Sequence, residues 1–353
     1  MDSNNLIFLI VLTILCFSLN KFFIFFSKKS NSNLLVDDQF SKPQAFHELP
    51  VLVTGGIGIF LSIFIVYSYL FLFQNIIYFE YISICTLFFF LGFMDDLKIN
   101  LRPKLRLILM IILLIFLIKY NNFYIEKTGI KFLNDLLQYS DIFSLIFIVT
   151  CFLFIINGAN LIDGYNGLLG LHTLIIILNL FIINYLNKNL DIAYFLLCFS
   201  FILIIFLKFN FPSAKIFLGD GGSYLLGAFI SISVIQTSIA NPSISPFYFC
   251  ILLFYLFFEV FFSFFRKLFV NKISPLIPDK KHLHMLIYKF LYNSNKSKFK
   301  SNYYVSIVIN FIYLILIIPS ILFMEDGLLC KYYSMILISV YLFSYKIIHE
   351  KTK

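Results

Sequence analysis

The sequence predicts an all-α, polytopic membrane protein: one integral-membrane domain over residues 1–353 with about eleven transmembrane helices. Three observations predict it. Hydrophobic residues make up 61% of the chain and charged residues only 13%, with a mean hydropathy of +0.93, whereas soluble domains sit near half apolar and a quarter charged. The apolar residues fall into runs long enough to cross the hydrocarbon core of a bilayer. The cations gather on every second connection between those runs.

The runs lie at 5–26, 52–73, 76–94, 104–119, 142–157, 168–187, 191–208, 223–240, 246–264, 302–323 and 331–347. The first lies in MDSNNLIFLIVLTILCFSLNKFF, whose first cations, Lys21, Lys28 and Lys29, come after the apolar stretch. With no positive segment before it and no small-residue cleavage signal, it is expected to be a retained span that starts outside. The connections 27–51, 95–103, 158–167, 209–222, 265–301 and the tail then share one side, expected to be the cytoplasm. The opposite connections carry only Lys119, Lys127, Lys131, Lys188 and Lys331 of the 27 Lys and Arg residues. The segment 265–301 is the one long soluble stretch, a basic cytoplasmic loop that contains His282 and His284.

The net charge of +9 fits this topology and attraction to anionic headgroups; a polyanionic substrate is the sharper alternative. Nucleic acid is not an expected partner, because the cations are spread over many short loops. The six cysteines, Cys16, Cys85, Cys151, Cys198, Cys250 and Cys330, have neither metal-ligand spacing nor a disulfide framework and read as small buried hydrophobes. The 48 phenylalanines, beside no tryptophan, read as lipid-facing filler.

Four acids stand in the cytoplasmic loops. Asp95 and Asp96 end the third run in GFMDDLKINLRPKLRL, Asp163 lies in NGANLIDGYNGLLG, and Asp220 lies in PSAKIFLGDGGSYLLG. A single acid at a span end is an ordinary hydrated interfacial residue. Four that converge on one side among Gly and Asn point instead to a shared partner. Magnesium takes one or two carboxylates and completes its shell with water and phosphate oxygens, so Asp96 with Asp220 is the candidate metal pair, with Mn2+ as the alternative ion. Lys104, Arg106 and Lys215 suit phosphate oxygens, with snorkelling and topology as the other reading. In LGDGGS the glycines let backbone N–H groups approach an anion at a helix N-terminus. Asn157, Asn160, Asp163 and Asn166 form a polar cluster, either turn residues or hydrogen-bonding groups for a base or sugar; Asn157 and Asn160 are one helical turn apart. In SPLIPDKKHLHMLIY, His282 and His284 lie beside Lys280 and Lys281, a weak metal pair and a better phosphate site.

These segments, in this order and on one side, resemble those of the polyprenyl-phosphate N-acetylhexosamine-1-phosphate transferases (glycosyltransferase 4), over about His47 to Tyr288. GFMDDLKINLRPKLRL is similar to that family's aspartate-pair loop, and NGANLIDGYNGLLG to its N-x-x-N-x-x-D-G-x-[DN]-G-L loop. PSAKIFLGDGGSYLLG resembles its P-A-K-x-F-x-G-D-x-G-S-x-x-L-G loop, and SPLIPDKKHLHMLI its S-P-F-x-P-D-R-x-H-x-H-H loop. The resemblance implies transfer of a sugar-1-phosphate from a UDP-N-acetylhexosamine to a polyprenyl (undecaprenyl) phosphate, with magnesium and release of UMP, on the cytoplasmic face of a bacterial inner membrane. UDP-GlcNAc is the default donor, and the sugar-antigen branches (O-antigen, lipopolysaccharide, teichoic acid) are the nearest kin.

By motif position the resemblance gives Asp96 and Asp220 to magnesium and Asp95 to the lipid phosphate. Asp163 and Asn160 go to the nucleotide-sugar, together with Asn157, Asn166, Lys215 and His284; His282 and Lys104 go to phosphate charge. Direct attack by the lipid phosphate is favoured over a two-step route through an aspartyl-phosphate. A homodimer is expected from the family alone.

Three positions depart from the pattern. Met285 replaces the third histidine, Asn166 stands where many members have an aspartate, and Leu52 and Val53 replace the Pro-Arg of an upstream segment, here HELPVLVTGG. The alternatives are an inactive paralogue or a membrane transporter. A transport site needs charge near the midplane, and the runs carry charge only near their ends.

Overall fold

The computed structural model describes residues 3–30, 35–37, 50–99, 101–125, 127–275, 277 and 279–352. His47, at the head of the upstream segment, lies outside them. The described residues form α1 (Ser3–Ser30), α2 (Gly55–Gln74), α3 (Phe79–Asp96), α4 (Pro103–Asn121), α5 (Lys131–Tyr139), α6 (Asp141–Ile162) and α7 (Leu168–Leu186). There follow α8 (Leu190–Asn210), α9 (Gly219–Ala240), α10 (Pro246–Leu252), α11 (Phe254–Phe265), a π-helical turn over Arg266–Val270, α12 (Leu283–Asn295), α13 (Lys298–Ile321) and α14 (Gly327–Lys351). The protein is an all-α polytopic membrane protein.

Each apolar run becomes helical, because inside hydrocarbon a helix satisfies its own backbone groups. Among the described residues eight helices (α1, α2, α6, α7, α8, α9, α13 and α14) are long and apolar enough to cross a membrane, and α10 with α11, bent by 75° at Leu253, makes up to nine. By length and apolarity that is fewer than the eleven expected. The difference is α3 and α4, which carry Glu80, Asp95 and Asp96, and Lys104, Arg106 and Lys119, all near their ends.

Three local expectations change. The run 52–73 begins as a strand, since β2 (Val51–Val53) pairs antiparallel with β1 (Val36–Asp37) and parallel with β3 (Ile216–Phe217). The ninth run is a bent pair rather than one straight span. The basic loop 265–301 holds α12, whose Leu283, Met285, Leu286 and Ile287 are buried; Met285 is therefore a core residue where a histidine was expected.

Helix α9 is the centre, packed against α2, α3, α6 and α7. Its small residues permit this: without a hydrophobic drive between helices in lipid, close backbone approach supplies the packing. The tightest approach is Gly92 of α3, where an added Cβ would collide with the Asp220 carbonyl and lie 2.6 Å from Gly221 N. That contact brings the acidic end of α3 onto the first turn of α9.

Candidate active site

The aspartate pair splits its work because successive residues on a helix point about 100° apart. Asp96 turns toward α9, where its Oδ1 accepts the Asp220 N–H at 2.8 Å and its Oδ2 accepts the Gly221 N–H at 2.9 Å. It caps a helix N-terminus from another helix, where amide donors and the dipole favour an anion. Gly219 fits beneath this carboxylate with φ +79, and a side chain there would meet Val53 and both Asp96 oxygens. Val53 thus packs in strand β2 at the site's edge, where the family's arginine was expected.

Asp95 turns toward α4. It accepts the Leu101 N–H at 3.3 Å and pairs with the Arg106 guanidinium, which also lies 3.3 Å from Asp220 Oδ2. Arg106 sits against the Tyr224 ring at 5.7 Å. Asn160 completes the cluster: its amide donates to Asp220 Oδ1 at 2.9 Å and to Ser223 Oγ at 3.0 Å. A chain Asp95–Arg106–Asp220–Asn160 therefore runs across the ends of α3, α4, α6 and α9, with Asp96 beneath it. Burial and then the Asp220 charge push the Asp96 carboxyl up to about 7, against the pull of the two amides. Asp163, just past the end of α6, is held well above the usual carboxylate range by burial and then by the Asp220 and Asp96 charges. Three acids so crowded suit an added cation. Among the described residues no three His, Cys, Asp or Glu side chains form a metal-binding group. A cation there would be held by two carboxylate oxygens and completed by other ligands, a donor set that suits magnesium.

The remaining sequence-derived candidates divide. Lys104, in the first turn of α4, and Lys215, before β3, are exposed. Asn157 is not with Asn160: its amide donates to Leu153 O at 2.8 Å and lies 3.9 Å from Met110 sulfur. Asn166 is a scaffold residue. Its N–H donates to Asn302 Oδ1, its amide to Pro212 O, and its carbonyl accepts from Ser306 Oγ. The histidines lie inside the protein. His282 Nδ1 is 3.1 Å from Glu259 Oε1 and its Nε2 is 3.4 Å from Asp279 Oδ1. His284 is fully buried, stacks on His282 at 5.5 Å, and meets the Tyr165 ring edge-on at 5.8 Å. Tyr165 follows Asp163 by two residues, so it ties the histidine segment to the aspartate loop. Burial pulls the His284 imidazole down to about 3. Burial alone would raise Asp279, but the bidentate Arg266 guanidinium outweighs it and holds that carboxyl below its ordinary value.

Sequence reading missed Glu259, Asp279 and Tyr341. Glu259 had a signal, as the lone charge in LLFYLFFEVFFSFF; an acid inside a span marks a functional site by default. Asp279 had its place in SPLIPDKKHLHMLI; Tyr341 had no signal, because its contact with Glu259 joins segments 82 residues apart.

Residues 78–238 match glycosyl transferase family 4, the family that the motifs of this chain resemble. The match spans the aspartate pair, the Asn160–Asp163 loop and Asp220, and stops short of the histidine segment. The undecaprenyl-phosphate alpha-N-acetylglucosaminyl 1-phosphate transferase of Thermotoga maritima is 36% identical over 139 residues, 39% of this chain and 41% of that protein. The phospho-N-acetylmuramoyl-pentapeptide-transferase of Dictyoglomus turgidum is 34% identical over 194 residues, 52% of this chain and 59% of that one. That of Clostridium beijerinckii is 33% identical over 152 residues, 40% and 47% of the two chains. The chain thus spans about half the length of the curated relatives it matches.

Proposed function

We propose that this protein transfers an N-acetylhexosamine-1-phosphate from a UDP-sugar to polyprenyl phosphate, releasing UMP. The observation that carries the reading is the Asp95–Arg106–Asp220–Asn160 chain over the first turn of α9. It puts carboxylates, a guanidinium and helix amides together at the ends of apolar helices, where a membrane lipid phosphate and a water-soluble nucleotide meet. The family match and the printed activities of the relatives support the reaction type. The side occupied by these loops is proposed to be the cytoplasm, in a bacterial inner membrane, on the charge asymmetry of the connections.

Phosphoryl transfer between two anions needs charge neutralisation and in-line positioning more than covalent help. Asp220, with Asp96 beside it, would hold magnesium, which supplies Lewis-acid neutralisation of pyrophosphate oxygens. Arg106 holds Asp95 and Asp220 in register and presents cationic donors to phosphate. Asp95 is placed to orient the attacking lipid phosphate. Asn160 and Asp163 face the nucleotide-sugar, and exposed Lys104 and Lys215 draw phosphate toward the site. His282 contributes from within the protein, beside Lys280 and Lys281. Asn157 and Asn166 are assigned to the scaffold, since their side chains are engaged elsewhere.

The test is nucleotide release. The purified full chain is mixed with magnesium, undecaprenyl phosphate and a donor panel: UDP-GlcNAc, UDP-GalNAc, 6-deoxy-N-acetyl sugars and UDP-muramoyl-pentapeptide. UMP that appears only with lipid phosphate is expected, and the productive donor names the sugar. Release of UDP, or of nothing with any donor, overturns the reading.

A further inference from the structure

Glu259 is 1% exposed on α11, the second arm of the bent pair. A carboxylate so placed persists only with donors around it, and it has three. Oε1 faces His282 Nδ1 at 3.1 Å and accepts the Leu283 N–H at 3.0 Å; Oε2 accepts the Tyr341 hydroxyl at 2.7 Å. These donors come from the histidine segment and from the last helix, α14, which also binds the segment through Tyr345 OH to Lys281 O at 3.1 Å. An ionised carboxylate only accepts hydrogen bonds, so the His282 nitrogen facing it must carry the proton.

We infer that Glu259, braced by Tyr341, is the positioning residue of His282: it holds a proton on Nδ1 and keeps Nε2 turned toward Asp279. The partner of one imidazole nitrogen sets the protonation of that nitrogen and the orientation of the ring. Helix α14 then acts as a strut for the site although it lies far along the chain from the aspartates. What His282 does for the reaction rests on the transferase reading; its Nδ1 proton does not.

The experiment uses the full chain in detergent with 15N-labelled histidine, the His282 signal being assigned by its loss in His282→Gln. Wild type is expected to show a protonated Nδ1 at neutral pH, and so is Glu259→Gln, whose amide oxygen still accepts. Glu259→Ala is expected to show an Nδ1 that is no longer fully protonated and to lose about 10- to 100-fold in kcat, with KM for the donor nearly unchanged and the rate largely recovered in Glu259→Gln. Tyr341→Phe, which removes only the brace, is expected to lose a few-fold in kcat and keeps the test open should Glu259→Ala not fold. An unprotonated Nδ1 in wild type, a wild-type spectrum in Glu259→Ala, or full activity in both Glu259→Ala and Tyr341→Phe overturns the inference. The spectra need no turnover, so failure of the transferase reading is a separate outcome.

Discussion

Replacing Gly92 by alanine tests whether the crossing of α3 and α9 is what aligns the aspartates. The new Cβ would meet the carbonyl and amide of Asp220–Gly221, with Gly221 N at 2.6 Å, where ordinary contact begins at 3.4 Å. Those atoms are backbone and cannot rotate away, and the Asp220 carbonyl is nearer still, so the helices must part locally by at least about 0.8 Å. The Asp96–Asp220 N–H bond, now 2.8 Å, would open to at least about 3.6 Å, beyond a hydrogen bond. Overpacking costs about 1–3 kcal/mol and loss of a charged hydrogen bond about 1.5–3 kcal/mol, so the variant should be destabilised by roughly 2.5–6 kcal/mol. A shift approaching 1 Å at a reacting centre costs on the order of 100-fold in rate. Thermal unfolding in detergent and UMP release are the assays. Gly164→Ala is the control, because nothing lies within 4 Å of its added Cβ; its stability should change by less than about 0.5 kcal/mol. A Gly92→Ala protein as stable and as active as wild type would refute the claim that this contact sets the site.

Asp220→Asn should abolish turnover while the protein still reaches the membrane, measured by UMP release from quantified membranes; near-normal turnover would remove Asp220 from the metal. Arg106→Met deletes a positive charge that bridges Asp95 and Asp220, so the magnesium concentration for half activity should fall about tenfold or more by Coulomb's law at short range, while KM for lipid phosphate rises. An unchanged magnesium requirement would show that Arg106 does not share the cation's place. The histidine segment should loosen in acid. His284 is lowered from 6.5 to about 3 and Asp279 is lowered from 3.8. Each therefore contributes stability above its ordinary value that is lost as pH falls through it. Hydrogen exchange over 279–288 should rise below about pH 6.5 and again below about pH 4; His284→Phe should flatten the upper step and Asp279→Asn the lower.

The membrane class and the helical runs were legible in residue order alone, and so were the acids that the proposed reaction uses. Hydropathy and loop charge are properties of composition and order, and hydrocarbon leaves an apolar run of this length no structure but a helix. Asp95, Asp96, Asp163 and Asp220 stood out for the same reason, since rare charges are conspicuous in an apolar chain, and Asn160 through its place in the NGANLIDGYNG motif. Packing settled which partner each acid takes. Adjacent Asp95 and Asp96 read alike in sequence, yet one pairs with Arg106 and the other caps α9, because the Gly92 contact orients α3 on α9. It likewise separated Asn157 from Asn160 and bent the ninth run. It also buried His282 against Glu259, 23 residues away along the chain, and brought the Tyr341 hydroxyl to the other oxygen of that carboxylate. Contacts between segments that far apart depend on how helices pack, and packing depends on small residues and close shapes that hydropathy does not register.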